Sequence, residues 1–77
     1  MKNYVVGILS MFENSLRLFK VTSDNEYEAV KQGMILFCEN DESKQHEIDW
    51  QNSDDYPKTI QDLSYAYEEV PFDVIEV

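Results

Sequence analysis

Seventy-seven residues carry a net charge of −10, with 43% of them hydrophobic and 13% aromatic. A chain of that length makes one small domain, residues 1–77, which buries about 60–65% of its unfolded surface and leaves no material for a second core. The apolar content excludes an acidic disordered tail, and the negative charge excludes nucleic acid or an anionic membrane surface as a direct ligand, because both would be repelled.

Tyr4 to Met11 is apolar at both alternating sets of positions, which predicts a strand over residues 4–11, buried on both faces and central in its sheet. Gly7 and Ser10 interrupt this run and charges follow at once, so it is too short for a signal peptide or a membrane span. The cytoplasm is the expected compartment. Phe12-Glu13-Asn14-Ser15 supplies a turn, in which Asn14 best tolerates a left-handed backbone. Residues 16–22 then form a second strand and an antiparallel hairpin with the first.

Charge changes sign at this point. Residues 1–22 carry Lys2, Arg17 and Lys20 against Glu13, a balance of +2. Residues 23–77 carry fifteen acids against Lys31, Lys44 and Lys58, a balance of −12. Ser23 with Glu26 matches a capping box, and Tyr27, Val30, Met34, Phe37 and Cys38 recur at spacings of three and four. These signals predict a helix over residues 24–37 lying against the sheet. Gly33 weakens it by about 1 kcal/mol relative to alanine but permits close packing on the strands.

Residues 39–57, ENDESKQHEIDWQNSDDYP, hold seven carboxylates and one lysine. His46, Ile48 and Trp50 alternate with Glu47, Asp49 and Gln51, which predicts a short edge strand with its charged face outward. Thr59 and Asp62 resemble a weaker cap, and Ile60, Leu63 and Tyr67 give a second helix its apolar face. Residues 72–77 close as a strand, with Pro71 at its start because proline cannot donate to a sheet ladder. The order is β-β-α-(β)-α-β: an α+β fold in which two helices pack on one face of a small antiparallel sheet. One partly apolar sheet face then lacks a cover, and a homodimer would supply it.

No motif for catalysis or metal binding survives inspection. Read as a calcium loop from Glu39, the ligand positions fall on Glu39, Asp41, Ser43, Gln45, Glu47 and Trp50, with Lys44 where the turn requires glycine. One cysteine and one histidine, Cys38 and His46, cannot make a closed zinc site without several carboxylates. Their acidic setting would raise the thiol pKa, which is wrong for a nucleophile, so Cys38 reads as a small core residue. The only glycines are Gly7 and Gly33, so no glycine-rich phosphate loop exists. Neither a cofactor nor an enzymatic activity is implied.

What remains is surface. Trp50, Tyr56, Tyr65 and Tyr67 lie near acids, and aromatics rimmed by charge compose protein-binding patches. Tyr27 and Tyr67 fall on inward helical faces and belong to the core. Trp50 is balanced between the two roles, whereas Tyr56 and Tyr65 are expected outside. The candidate partner-binding residues are therefore Glu39, Asp41, Glu42, Glu47, Asp49, Trp50, Asp54, Asp55, Tyr56 and Tyr65.

The hairpin MKNYVVGILSMFENSLRLFKV, the helix start SDNEYEAVKQGM and the closing FDVIEV resemble small phage-encoded proteins of the T-even type, over about half of the chain. Such proteins are commonly inhibitors or modulators of host enzymes and defence systems, and several are acidic mimics of nucleic acid. The resemblance implies a non-enzymatic interaction protein. Duplex DNA presents about one charge per 1.7 Å, and proteins that bind it offer matching Lys/Arg grooves. A body with −12 in residues 23–77 can compete for such a groove. The expected partner is a basic, nucleic-acid-processing protein. The alternative is a small binding module or subunit, taking a small ligand or nucleotide, whose acidity serves only solubility.

Overall fold

A computed structural model describes residues 1–77. Strand β1 (Lys2–Ser10) and strand β2 (Ser15–Ser23) pair antiparallel around a turn in which Asn14 takes the expected left-handed backbone, φ 52°. Strand β3 (Phe72–Glu76) adds antiparallel to the other side of β1, so the order is β2-β1-β3. Helix α1 (Glu26–Phe37), helix α2 (Asp41–Gln51) and helix α3 (Ile60–Ala66) lie between β2 and β3 in the chain. The fold is α+β, with three helices where the sequence predicts two.

The central place of β1 is as predicted, but its burial on both faces is not. Tyr4, Val6, Ile8 and Ser10 are buried under the helices, while Val5 and Gly7 are half-buried and Leu9 is exposed. Apolar residues at every position of a strand ordinarily mean two covered faces; here the helices cover one. Cross-strand neighbours on the covered face are Val6 with Phe19 and Val74, and Ile8 with Arg17 and Phe72.

The N-cap of α1 is Asn25, whose side-chain oxygen accepts from the Glu28 amide at 2.8 Å. The predicted capping residue, Ser23, is instead the last residue of β2, buried in the ladder opposite Lys2. Two residues thus move from helix to connection. Ala29, Val30, Gly33 and Met34 form the buried stripe of α1. A Cβ at Gly33 would stand 2.8 Å from Val6 Cγ1, so the glycine is what lets α1 settle onto β1.

The largest correction concerns residues 46–51, which are helical and not an edge strand. Asn40 caps α2 by accepting from the Ser43 amide at 2.8 Å, and Asp41 and Glu42 in its first turn complement the helix dipole. Lys44, Glu47, Ile48 and Gln51 fall at the i, i+3, i+4, i+7 spacing of one half-buried helical face, and Trp50 beside them packs on the core. Three of those four are polar, so hydropathy alone shows no helical period. At α3 the Thr59 hydroxyl accepts from the Asp62 amide at 3.1 Å, the cap that the sequence predicts, and Leu63 is fully buried.

Candidate functional site

Polar chemistry fastens α2 to its neighbours. Lys44 donates to the carbonyls of Ile35 at 3.2 Å and Cys38 at 2.9 Å, at the end of a helix whose own last turn holds no basic residue. Arg17 donates to Phe37 O at 3.2 Å and lies over the Phe19 and Phe37 rings. A cation at a helix C-terminus meets the unpaired carbonyls and the negative dipole end together. Gln51 donates to Lys31 O at 3.0 Å and to Glu47 at 2.9 Å.

Beneath α2 lies an aromatic cluster. Trp50 meets Tyr56 edge-on at 4.9 Å between ring centres and Tyr67 at 5.2 Å, and Tyr67 meets Phe72. The Tyr67 hydroxyl donates to the Glu47 carboxylate, and the Tyr56 hydroxyl lies 2.9 Å from that of Tyr67. A carboxylate only accepts, so the single Tyr67 proton points at Glu47 and Tyr56 donates to Tyr67. Burial, then the hydrogen bond to Glu47, pushes the Tyr67 pKa well above its ordinary range; burial likewise raises that of Tyr56. Both hydroxyls remain protonated donors.

This cluster overturns part of the expected partner surface. Tyr56 is only 4% exposed and belongs to the core. Glu47 is half-buried, with its carboxylate already engaged by Tyr67 and Gln51. Trp50 is half-buried between the cluster and the surface. Tyr65, by contrast, is 71% exposed on α3. The sequence predicts Tyr56 outside; the turn after α2 instead folds back, with the Tyr56 amide donating to Ser53 O.

The remaining acids form a ridge. Glu39 precedes the cap of α2; Asp41, Glu42 and Asp49 stand on its outer face; Asp54 and Asp55 occupy the turn after it. All six are exposed. Glu42 approaches His46 at 3.9 Å and Asp49 accepts from Gln45 at 2.9 Å, yet none of the six meets a lysine or arginine within 4.0 Å. Nearby cations have other roles: Lys44 holds the end of α1, and Lys31 pairs with Glu28 at 3.6 Å over the Tyr27 and Tyr56 rings. The ridge therefore offers uncompensated negative charge, which attracts and orients cations.

Cys38 is half-buried and donates to Met34 O at 3.3 Å. Burial, and then the Glu47 carboxylate, raises its thiol pKa, with Lys44 opposing. No group of three or more His, Cys, Asp or Glu side chains is placed to hold a metal ion. No helix is long and apolar enough to cross a membrane.

A second surface lies on the side of the sheet away from the helices, the uncovered apolar face that the helix count predicts, though the sequence does not say which residues form it. Leu16 and Leu18 of β2 are 64% and 66% exposed, and Ile75 of β3 is 59% exposed. With Val5, Gly7, Leu9 and Asp73 they border an apolar groove of about 320 Å³. The signal was present in the alternation of Leu16 and Leu18 with Arg17 and Phe19, once β1 is known to have one open face. The chain matches no known protein-family model, no curated protein and no solved structure.

Proposed function

We propose that this is a non-enzymatic interaction protein whose acidic ridge binds a basic surface on a protein partner and inhibits or modulates it. The observation that carries this reading is the ridge itself. Glu39, Asp41, Glu42, Asp49, Asp54 and Asp55 are exposed and face no Lys or Arg of their own chain, so an external basic surface would meet their full charge. The partner class that fits is a nucleic-acid-processing protein, whose Lys/Arg groove is built for a run of phosphates. Trp50, half-buried on α2, and Tyr65, exposed on α3, would supply the aromatic contacts, and such residues hold complexes that charges only steer. On this reading the protein acts in the cytoplasm. The resemblance to small phage-encoded proteins makes a host enzyme the natural target.

The test is capture of partners from host lysate with the tagged protein, followed by titration of the captured protein at rising salt. Mimicry requires log affinity to fall steeply with log salt, and duplex DNA to compete for the same site. Asp49→Asn with Asp54→Asn and Asp55→Asn should slow association, while Tyr65→Ala should speed dissociation. Binding that ignores salt, DNA and these variants alike would refute the reading.

A further inference from the structure

We infer that the open face of the sheet is a self-association surface, on which a second copy of this chain docks about a two-fold axis. This inference stands apart from the acidic ridge, which lies in the helical layer. Outward positions along the strands are Asn3, Val5, Gly7 and Leu9 on β1, Leu16, Leu18, Lys20 and Thr22 on β2, and Asp73 and Ile75 on β3, from the alternation and the pairing register. Only two of these carry charge. In a protein of net charge −10, this face is balanced, with one lysine and one aspartate.

Their placement is what selects a second copy as the occupant. Lys20 sits on one edge strand, opposite Val5 and hence in line with Ile75; Asp73 sits on the other edge strand, opposite Gly7 and in line with Leu18. Stack two such faces about a two-fold axis running along the strands, and β2 of each copy lies over β3 of the other. Lys20 of each copy is then offset from Asp73 in the second copy by two residues, about 7 Å, along the strands and by about 10 Å between the sheets, a gap that the lysine stem and the aspartate side chain span together. A two-fold interface repeats every contact, so the unlike charges meet twice. Neither residue makes an ion pair within its own chain.

Shape agrees with charge. Gly7 leaves the middle of the central strand without a side chain, and its absent Cβ would lie 3.2 Å from Leu18 Cδ2. The groove above it is bordered by the raised Leu16 and Leu18 on one side and Ile75 on the other. A face with a hollow beside a ridge of its own leucines can interdigitate with itself, as packed sheets do at about 10 Å. The acids on α2 lie in the helical layer, on the other side of the sheet, so screening over about 8 Å at physiological salt reduces the repulsion that they exert across this interface.

Size sets the strength. Three strands at ~4.8 Å spacing and nine residues at ~3.4 Å give a footprint of about 400 Å², roughly half of the ~800 Å² that each partner contributes to a standard interface. Exposed Met11 and Phe12 at the hairpin tip extend the apolar surface at one end. The dimer should therefore be weak, with a Kd on the order of 10–100 μM.

Sedimentation of the full chain from about 1 μM to about 1 mM decides the matter. The expected mass rises from 9.1 kDa towards twice that value, and rises further with salt, which screens the repulsion between two bodies of charge −10. Leu18→Glu should weaken the dimer by about tenfold or more, because each copy would bury an unpaired carboxylate. Lys20→Asp should weaken it by about threefold to tenfold, and the exchange Lys20→Asp with Asp73→Lys should restore it. Should Leu18→Glu fail to fold by circular dichroism, the exchange of the two exposed charged residues decides alone. A mass of 9.1 kDa at every concentration overturns the inference. So does a dimer indifferent to these variants, or a monomer whose groove instead takes a single-chain fatty acid such as decanoate.

Discussion

Helices α1 and α2 are neighbours of 12 and 11 residues, both capped by an asparagine, yet they are held in opposite ways. α1 presents Ala29, Val30, Gly33 and Met34 to the sheet, and its position follows from apolar burial and close backbone approach. α2 buries no residue fully; Trp50 is its one side chain packed on the core, and Lys44, Glu47 and Gln51 act through hydrogen bonds to α1 or to Tyr67. A helix can therefore be fixed in a fold by a single aromatic anchor rather than an apolar stripe, if its other inner side chains satisfy backbone carbonyls and hydroxyls that would otherwise be buried unpaired. No buried side-chain polar atom is left without a partner.

The contrast can be broken most directly in α1. Met34→Ala should lower stability by about 2–5 kcal/mol in urea unfolding, the range for a large apolar side chain deleted from a core. A loss under about 1 kcal/mol would mean that α1, too, depends on something other than burial. On the α2 side, Glu47→Ala should cost about 1–3 kcal/mol, since it leaves the buried Tyr67 hydroxyl without an acceptor. A neutral result there would dissolve the proposed polar attachment.

Gly33→Ala sharpens the point, because two effects oppose. Alanine gains about 1 kcal/mol in helix propensity, while its methyl would meet Val6 at 2.8 Å and overpack at a cost of about 1–3 kcal/mol. Net destabilisation of about 1 kcal/mol is expected, against the rise that the same change would bring on an exposed helix face. Alkali tests the hydroxyl pair. Tyr56 and Tyr67 hold their protons more tightly folded than unfolded, so their contribution is intact below about pH 10 and is lost as pH climbs above it. Thermal melts should fall above that pH, and the fall should be shallower in Tyr56→Phe and Tyr67→Phe. The smallest effect belongs to the ridge. Asp49→Asn with Asp54→Asn and Asp55→Asn should change stability by no more than about 0.5 kcal/mol, because these exposed side chains pair with no cation of the chain.

The same contrast explains which parts of the structure were legible in the sequence. The hairpin, α1, α3 and β3 all carry their inner faces in apolar residues, so spacing alone located them to within a few residues. Asn14 and Thr59 announced a turn and a cap by side-chain chemistry that depends on no distant contact. The sequence gives no helical period for α2 because His46, Ile48 and Trp50 alternate with polar residues, while most of the residues that share the inner side with Ile48 and Trp50 are lysine, glutamate and glutamine. Their partners, the carbonyls ending α1 and the hydroxyl of Tyr67, are distant in sequence and invisible to any local period. Tyr56 was misplaced for a related reason: a short acidic turn looks solvated until Trp50 and Tyr67 are known to lie beneath it. Of the candidate site, the exposed acids and Tyr65 are readable, and so is the existence of one uncovered sheet face, whereas its lining residues require the pairing register of the strands.

The strand order has a consequence for how the protein is made. β1 lies between β2 and β3, so the first strand to leave the ribosome is the one whose second edge is closed last, when Phe72 reaches Ile8 and Glu76 reaches Tyr4. Pairing across so much intervening chain is slow, because the loop must close before the contacts reward it. During synthesis the nascent hairpin therefore presents a bare edge flanked by Val5, Val6 and Ile8, the kind of surface on which unfinished chains stick to one another. Pairing of Phe72–Glu76 with β1 therefore does two things at once: it completes the sheet and withdraws that edge from other unfinished chains.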